Sequence, residues 1–294
     1  MDISIITPFY KGNKYMNDYF KNVTNAINNS KYSVEIIIVN DSPEINVEYG
    51  KNLTKNININ IITNPKNCGI QQSRVNGINV AKGKYILFLD QDDFITKNSI
   101  NSQLEKIEKD NADVVVGNGF IEESKTNART IIYNSIFAKM TINKNVYLKS
   151  RNFIISPGMC LIKKESIPEE WKKNILKINC ADDYFLWLLM FNNNCKFVFN
   201  YDYVYVHRYT GNNVSDDFEN THLSQLEMLS YLKDELNKKD YEKLKKTIEF
   251  KYDYKSGNKK IIIKYPFLFL YNTMCSLICN RIKTFNEKDY SQYM

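Results

Sequence analysis

Short runs of Ile and Val that end on turn residues, separated by stretches with helical spacing, constrain this chain more than any other feature. Residues 3–6 form an apolar run closed by Thr7-Pro8, residues 34–39 a second closed by Asn40-Asp41-Ser42-Pro43, and residues 57–62 a third closed by Thr63-Asn64-Pro65. Runs this short, β-branched and bounded by turn formers predict strands, the first of them buried at the start of the domain. After the first, Tyr15, Tyr19, Val23 and Ala26 recur at three- and four-residue intervals, the spacing of one helix face. A second helical stretch over 70–81 leads through Lys82-Gly83 into the run 85–89, which meets Asp90-Gln91-Asp92-Asp93 at once. Strand alternating with helix predicts an α/β arrangement around a mostly parallel sheet in the first half of the chain.

Composition narrows the class further. With 294 residues, 43% hydrophobic and 25% charged, the chain matches one large globular domain or a domain with an appendage. The 10 Gly and 6 Pro exclude collagen-like and Pro-rich linker proteins. The net charge of +7 is spread along a chain rich in Asn, Ile, Lys and Tyr, so no nucleic-acid partner is expected from it. Cys68, Cys160, Cys180, Cys195, Cys275 and Cys279 form no CxxC pair and have no His at zinc spacing, which points to a reducing compartment. The opening MDISIITPFY lacks a basic n-region, so a cytoplasmic domain beginning on a strand is expected rather than a signal peptide.

The polar clusters Thr7-Pro8-Phe9-Tyr10, Asn40-Asp41 and Asp90–Asp93 all fall at the carboxyl ends of apolar runs, where open parallel sheets bind ligands. Each alone is compatible with a simple turn; together they are expected to converge on one cleft. Three carboxylates within four residues repel one another, and a cation would relieve that crowding. Oxygen ligands favour Mg²⁺ or Mn²⁺, which leave coordination positions for substrate phosphates. The alternative for Asp93 is an N-cap of a helix starting near Lys97.

SIITPFY, EIIIVNDS, NCGIQQSRVNGINVAKGKYILFLDQDD and ADDYFLWLLM resemble, in order, the successive motifs of the family 2 glycosyltransferases. The resemblance covers about the first 215 residues. It implies the GT-A fold, a Rossmann-like and mostly parallel sheet flanked by helices, with a nucleotide-sugar-binding half over 1–110, an acceptor half over 111–215 and a helical C-terminal extension over 216–294. It further implies an inverting, metal-dependent hexosyltransferase that uses a UDP-sugar and acts on a glycan or lipid-linked acceptor in bacterial surface polysaccharide or capsule assembly. Under this resemblance Tyr10 stacks on the base beside Pro8, Asp41 bonds the base edge, Asn67 and Gly69 shape a loop, and Arg74 lies near the nucleotide. Asp90, Asp92 and Asp93 form the DXD motif: Asp90 orients it, Asp92 contacts ribose and metal, and Asp93 binds the metal, manganese or magnesium. Asp183 is the general base, with Asp182 in the position of its usual Glu neighbour.

Physical chemistry alone is compatible with those roles and with plainer ones. An aromatic face holds a flat base, and a divalent ion stabilises a leaving diphosphate. Asp182 and Asp183 at a helix start serve equally as caps or as acid-base groups, and Gly158 would let backbone approach an acceptor sugar closely. His207 is one of 2 histidines, a candidate metal or phosphate contact or a satisfied structural residue. It opens the stretch to Ser215 that resembles a family loop closing over the diphosphate. No GxxxxGKS/T or GxGxxG occurs. A sugar nucleotidyltransferase would show a Gly-rich, Arg-containing loop where TPFYKGNKY stands, and a degenerate glycan- or nucleotide-binding protein need not retain Asp92, Asp93 and Asp183.

Beyond residue 216, Phe218, Leu226, Leu229, Leu232 and Leu236 mark an amphipathic helix, and a charge-dense stretch predicts a solvated one. Residues 265–278 form the most apolar segment, too short to span a bilayer as a helix and flanked by Lys259, Lys260, Lys264, Arg281 and Lys283. The region 261–283 therefore suits an interfacial helix at the inner face of the cell membrane or a helix docked on the domain. The membrane alternative predicts that residues 1–257 fold without it.

Overall fold

The computed structural model describes residues 1–50, 57–123, 128–209, 217–279, 284–285 and 293–294. The first half is the expected α/β unit: β1 (Ile3–Phe9), β2 (Val34–Asn40), β3 (Asn58–Thr63) and β4 (Tyr85–Phe88) lie parallel in the order β3-β2-β1-β4. Every residue of β2 is buried, which is why it reads as a continuous apolar run. Its one charge, Glu35, accepts hydrogen bonds from Ser4 Oγ and Lys82 N, both at 2.6 Å. Gly83 N donates in turn to Ser4 Oγ, and a Cβ at Gly83 would lie 2.4 Å from Ser4 N. The turn into β4 thus requires glycine. Helix α1 (Asn13–Asn28) buries Met16, Tyr19, Phe20, Val23 and Ala26, and α2 (Ile70–Val80) crosses back over β1 and β2.

The strand direction changes beyond β4. After β5 (Phe94–Ile95) and α3 (Ser99–Asp110), β6 (Val114–Glu123) runs antiparallel to β7 (Arg129–Ile131) and β8 (Cys160–Lys163), and β8 sits antiparallel between β4 and β6. The long β9 (Phe197–Tyr209) pairs parallel with β6 and antiparallel with β5, with register shifts around Gly117 and Asn118. β10 (Thr284–Phe285) extends the β7 edge. The sheet as a whole is mixed, its parallel ladders concentrated in the first half, in keeping with a GT-A α/β architecture.

Helices α4 (Ser135–Thr141), α5 (Lys144–Lys149) and α6 (Glu169–Lys173) lead to α7 (Asp182–Asn192), which buries Tyr184 through Phe191. A helix apolar all round belongs inside a fold. Outside it lie α8 (Phe218–Leu232), α9 (Lys238–Lys255), α10 (Ile261–Lys264) and α11 (Pro266–Cys279). Met228, Leu229, Leu232, Leu244, Ile248, Cys275 and Cys279 belong to the same continuous core as the sheet. Asn272 Nδ2 donates to Lys149 O, Ser150 Oγ bonds Asn272 Oδ1, and Asn134 Nδ2 donates to Ile278 O. One face of α11 thus covers core surface, as the docked-helix alternative expects. Arg281 and Lys283 lie outside the described residues.

Candidate functional site

The ends of β1, β2 and β4 meet, as three polar clusters at strand carboxyl ends should. Past β1, Tyr10 is 47% exposed, and its backbone is held by Gln91: Tyr10 N donates to Gln91 Oε1 and Gln91 Nε2 to Tyr10 O, both at 3.1 Å. Lys11 adopts a positive φ of 47° and donates its N–H to Ser42 Oγ. The Tyr10 ring is thus presented outward at the cleft edge by residues of the two neighbouring strand ends. Pro8 lies within β1, paired with Val39.

Asp41 is 4% exposed. Its Oδ1 accepts from Cys68 N at 2.7 Å and Asn64 Nδ2 at 2.8 Å, and its Oδ2 accepts from Gly69 N at 2.9 Å. Asn67 Oδ1 also accepts from Gly69 N. The carboxylate therefore folds the loop that starts α2, and Gly69, at φ 85°, takes the left-handed conformation this requires. A Cβ there would lie 2.7 Å from Asn179 Oδ1, so the loop abuts the segment before α7.

Arg74 joins the two acidic groups. Its Nη2 bonds Asp90 Oδ1 at 2.9 Å and its Nη1 bonds Asp182 Oδ2 at 2.7 Å, with the guanidinium 5.6 Å from the centre of the Phe88 ring. Its Nε is buried with no hydrogen-bond partner. Although burial disfavours its charge, the carboxylates of Asp90, Asp182 and Asp183 outweigh that and raise its pKa. The turn after β4 and the start of α7, 108 residues from Arg74 at the Asp182 contact, are thereby fixed within the reach of one side chain.

The three carboxylates of the turn divide their work. Asp93 is 2% exposed and accepts from the Tyr205 hydroxyl, from His207 Nδ1 at 3.1 Å and from Arg208 N at 3.0 Å. It anchors the end of β9. The helix-cap alternative for Asp93 does not hold, because α3 begins at Ser99 with Asn98 as its N-cap. No other described residue donates a hydrogen bond to Asp92, and burial together with Asp93 and Asp90 pushes it up to about 6. Burial likewise raises Asp90, against the pull of Arg74. Burial lowers His207, but its bond to Asp93 and the nearby acids prevail, so its pKa is raised and the imidazolium is favoured.

Asp182 and Asp183 occupy the first turn of α7, behind Ala181 as N-cap, so neither is the cap. Asp183 Oδ1 accepts from Tyr184 N at 2.7 Å and its Oδ2 from Asn152 Nδ2 at 2.8 Å, while Asn152 Oδ1 is fixed by Ile154 N. Burial and then the adjacent Asp182 raise Asp183 to about 7, although Arg74 and Asn152 oppose the rise. A carboxylate tuned near neutrality exchanges a proton readily.

Together Asp90, Asp92, Asp93, Asp182 and Asp183 set five carboxyl groups against Arg74 and His207 in one cleft, and their crowding is part of what raises Asp90, Asp92 and Asp183. A diphosphate would be repelled unless a cation accompanied it. Among the described residues no three His, Cys, Asp or Glu side chains are arranged to hold a metal ion by themselves. Asp92, with the remaining oxygen of Asp90, is nevertheless the donor set suited to Mg²⁺ or Mn²⁺ that completes its shell with water and phosphate.

Several features were not legible beforehand. Gln91, Asn152 and Tyr205 carry no motif; only the alternation of Tyr205 with His207 along β9 hints that both face Asp93. The acceptor role expected of Gly158 is corrected: its absent side chain makes room for the Tyr205 ring, whose Cε2 would lie 2.7 Å from a Cβ there. The loop following Tyr209 lies outside the described residues.

A family model described as glycosyl transferase family 2 matches residues 4–171. Glycosyltransferase GlyG of Streptococcus pneumoniae serotype 4 is 29% identical over 121 residues, 40% of this chain and 38% of that protein. Minor teichoic acid biosynthesis protein GgaB of Bacillus subtilis is 29% identical over 132 residues, 42% of this chain and 14% of that protein. The chain thus spans well under half the length of these relatives. Among solved structures, S. aureus TarS 1–349 has a TM-score of 0.60 at 15% identity, covering 90% of this chain and 75% of that one, a likeness of fold. That TarS fragment has also been solved in complex with UDP-GlcNAc and with UDP.

Proposed function

The chain belongs to glycosyl transferase family 2, and from that premise we propose that it transfers a sugar from a UDP-sugar to a hydroxyl of a glycan or lipid-linked acceptor, with inversion, in bacterial surface polysaccharide assembly. One observation carries this reading: Arg74 binds Asp90 and Asp182 at once, setting a carboxylate turn suited to a metal diphosphate beside a buried carboxylate suited to take a proton. The solved complexes of TarS with UDP-GlcNAc and UDP support a uridine donor.

The Tyr10 ring offers an apolar face to the uracil, and the loop organised by Asp41, Asn67 and Gly69 borders it. Asp92 and Asp90 would hold a manganese or magnesium ion, which would neutralise the diphosphate and stabilise the charge that builds on the leaving group. Asp93 is withdrawn from that task by its three donors and instead favours the imidazolium of His207, a donor suited to phosphate. Asp183 removes the proton from the acceptor hydroxyl as that oxygen attacks the anomeric carbon from the face opposite the nucleotide; the bond to the diphosphate oxygen breaks and configuration inverts. Asp182, bound to Arg74, lies beside Asp183 and adds to the burial that raises it.

Calorimetry of UDP binding with Mn²⁺ and with EDTA tests the donor site. Binding that needs the ion, and that loses this dependence in Asp92→Ala, is expected. Equal affinity in both conditions would overturn the metal assignment, and no affinity for any uridine nucleotide would overturn the donor class.

A further inference from the structure

Helix α11 docks through one face and leaves another bare. Cys275 and Cys279 face the core, whereas Phe267 is 86% exposed, Leu270 61%, Met274 58% and Leu277 61%. The intervals of three, four and three residues place these four on one stripe of the helix. On α10, Ile263 is 83% exposed. Isolated apolar residues on a surface are ordinary, but a row of large ones on a single face marks an interaction site.

Charge decides what covers it. From residue 254 to 286 the sequence contains no Asp or Glu, yet it contains Lys255, Lys259, Lys260, Lys264, Arg281 and Lys283. Lys264 pairs with Glu249, while Lys255, Lys259 and Lys260 are exposed and form no ion pair among the described residues; Lys255 lies over the Phe218 ring, and Lys259 lies over the Tyr254 ring and donates to Tyr254 O. In a symmetric pairing of two copies this basic border would confront itself. Among the described residues no helix is long and apolar enough to cross a membrane. An apolar stripe with a cationic border and insufficient length to span matches a helix lying in the interface of an anionic bilayer.

We propose that α10 and α11 dock the protein on an anionic lipid surface, with Ile263, Phe267, Leu270, Met274 and Leu277 entering the acyl boundary and Lys255, Lys259 and Lys260 meeting headgroup phosphates. Both alternatives drawn from the sequence are then true of different faces: the helix belongs to the fold through its cysteine side and to the membrane through its phenylalanine side. The surface acts independently of the donor site, so its test does not depend on the proposed reaction.

Sedimentation of the full chain with phosphatidylcholine vesicles, with and without phosphatidylglycerol, provides that test. Binding should require phosphatidylglycerol, weaken with salt, and fall about tenfold or more in Phe267→Ser/Leu270→Ser. The triple change of Lys255, Lys259 and Lys260 to Gln should abolish the preference for the anionic vesicles. Because the altered apolar side chains are already in solvent, thermal melting should stay unchanged. Absence of vesicle binding, or binding unaffected by both sets of changes, would overturn the proposal. So would light scattering that shows a dimer dissociated by Phe267→Ser/Leu270→Ser, which would assign the stripe to a second copy of the chain.

Discussion

Asp183 shows how much one residue's surroundings decide. The two-residue acidic motif is visible in the sequence, but its division of labour is not: Arg74 takes Asp182, and Asn152, 31 residues upstream of Asp183, takes an oxygen of the latter. Asp183→Asn keeps the shape and the Asn152 neighbour while removing proton acceptance, so kcat should fall by a factor on the order of 10²–10⁴ with UDP affinity nearly unchanged. A base must be ionised to act, so turnover of the native enzyme should rise through about pH 7, where Asp183 titrates. Asn152→Ala removes a bond that favours the carboxylate, and the same limb should move to higher pH. A rate profile flat from pH 5 to 9, measured as initial UDP release, would assign the base elsewhere.

At the scale of elements, the strands of the first half follow from local pattern because each apolar run is bounded by its own turn residues, although β3, at the sheet edge, buries none of its residues. The last helices obey different physics. Residues 265–278 look alike on all sides in the sequence, and only docking distinguishes the face carrying Cys275 and Cys279 from the face carrying Phe267 and Leu270. Ending the chain at Ser256 would expose the core beneath α11 and remove the Asn272 bonds to Lys149 and Ser150. Such a truncated protein should aggregate on expression, and a soluble, cooperatively melting fragment would show that α11 is dispensable to the core.

Across the whole molecule, burial of the acidic cleft links stability to pH. Asp92 and Asp183 are raised to about 6 and about 7, and His207 is raised as well. Each binds protons more tightly folded than unfolded, so its stabilising contribution is complete below the unfolded pKa and is lost as pH rises through the folded one. The melting temperature should therefore decline between about pH 5 and 8, and Asp183→Asn should flatten that decline. Asp240, against its buried surroundings, is held low by Lys144 and Lys243, and Glu249 by Lys264; they act with the opposite sign, in the acid range below about pH 4. Scanning calorimetry across that range checks the sign directly, and a melting temperature that climbs from pH 5 to 8 would contradict the burial of an uncompensated acidic cluster.

What the sequence determined by itself was whatever depends on neighbours along the chain: alternating short apolar runs set the α/β layers, turn residues set where they end, and parallel strand ends place Tyr10, Asp41 and Asp90–Asp93 on one side. What only the tertiary structure decided depends on partners distant in sequence. It was packing that gave Asp93 to Tyr205 and His207, left Asp92 open, clamped Asp90 to Asp182 through Arg74, filled the space at Gly158 with Tyr205, and turned one side of α11 inward. A carboxylate looks the same in every motif; whether it binds, supports or accepts a proton is fixed by which donors reach it and how much water remains, and both are properties of the folded chain.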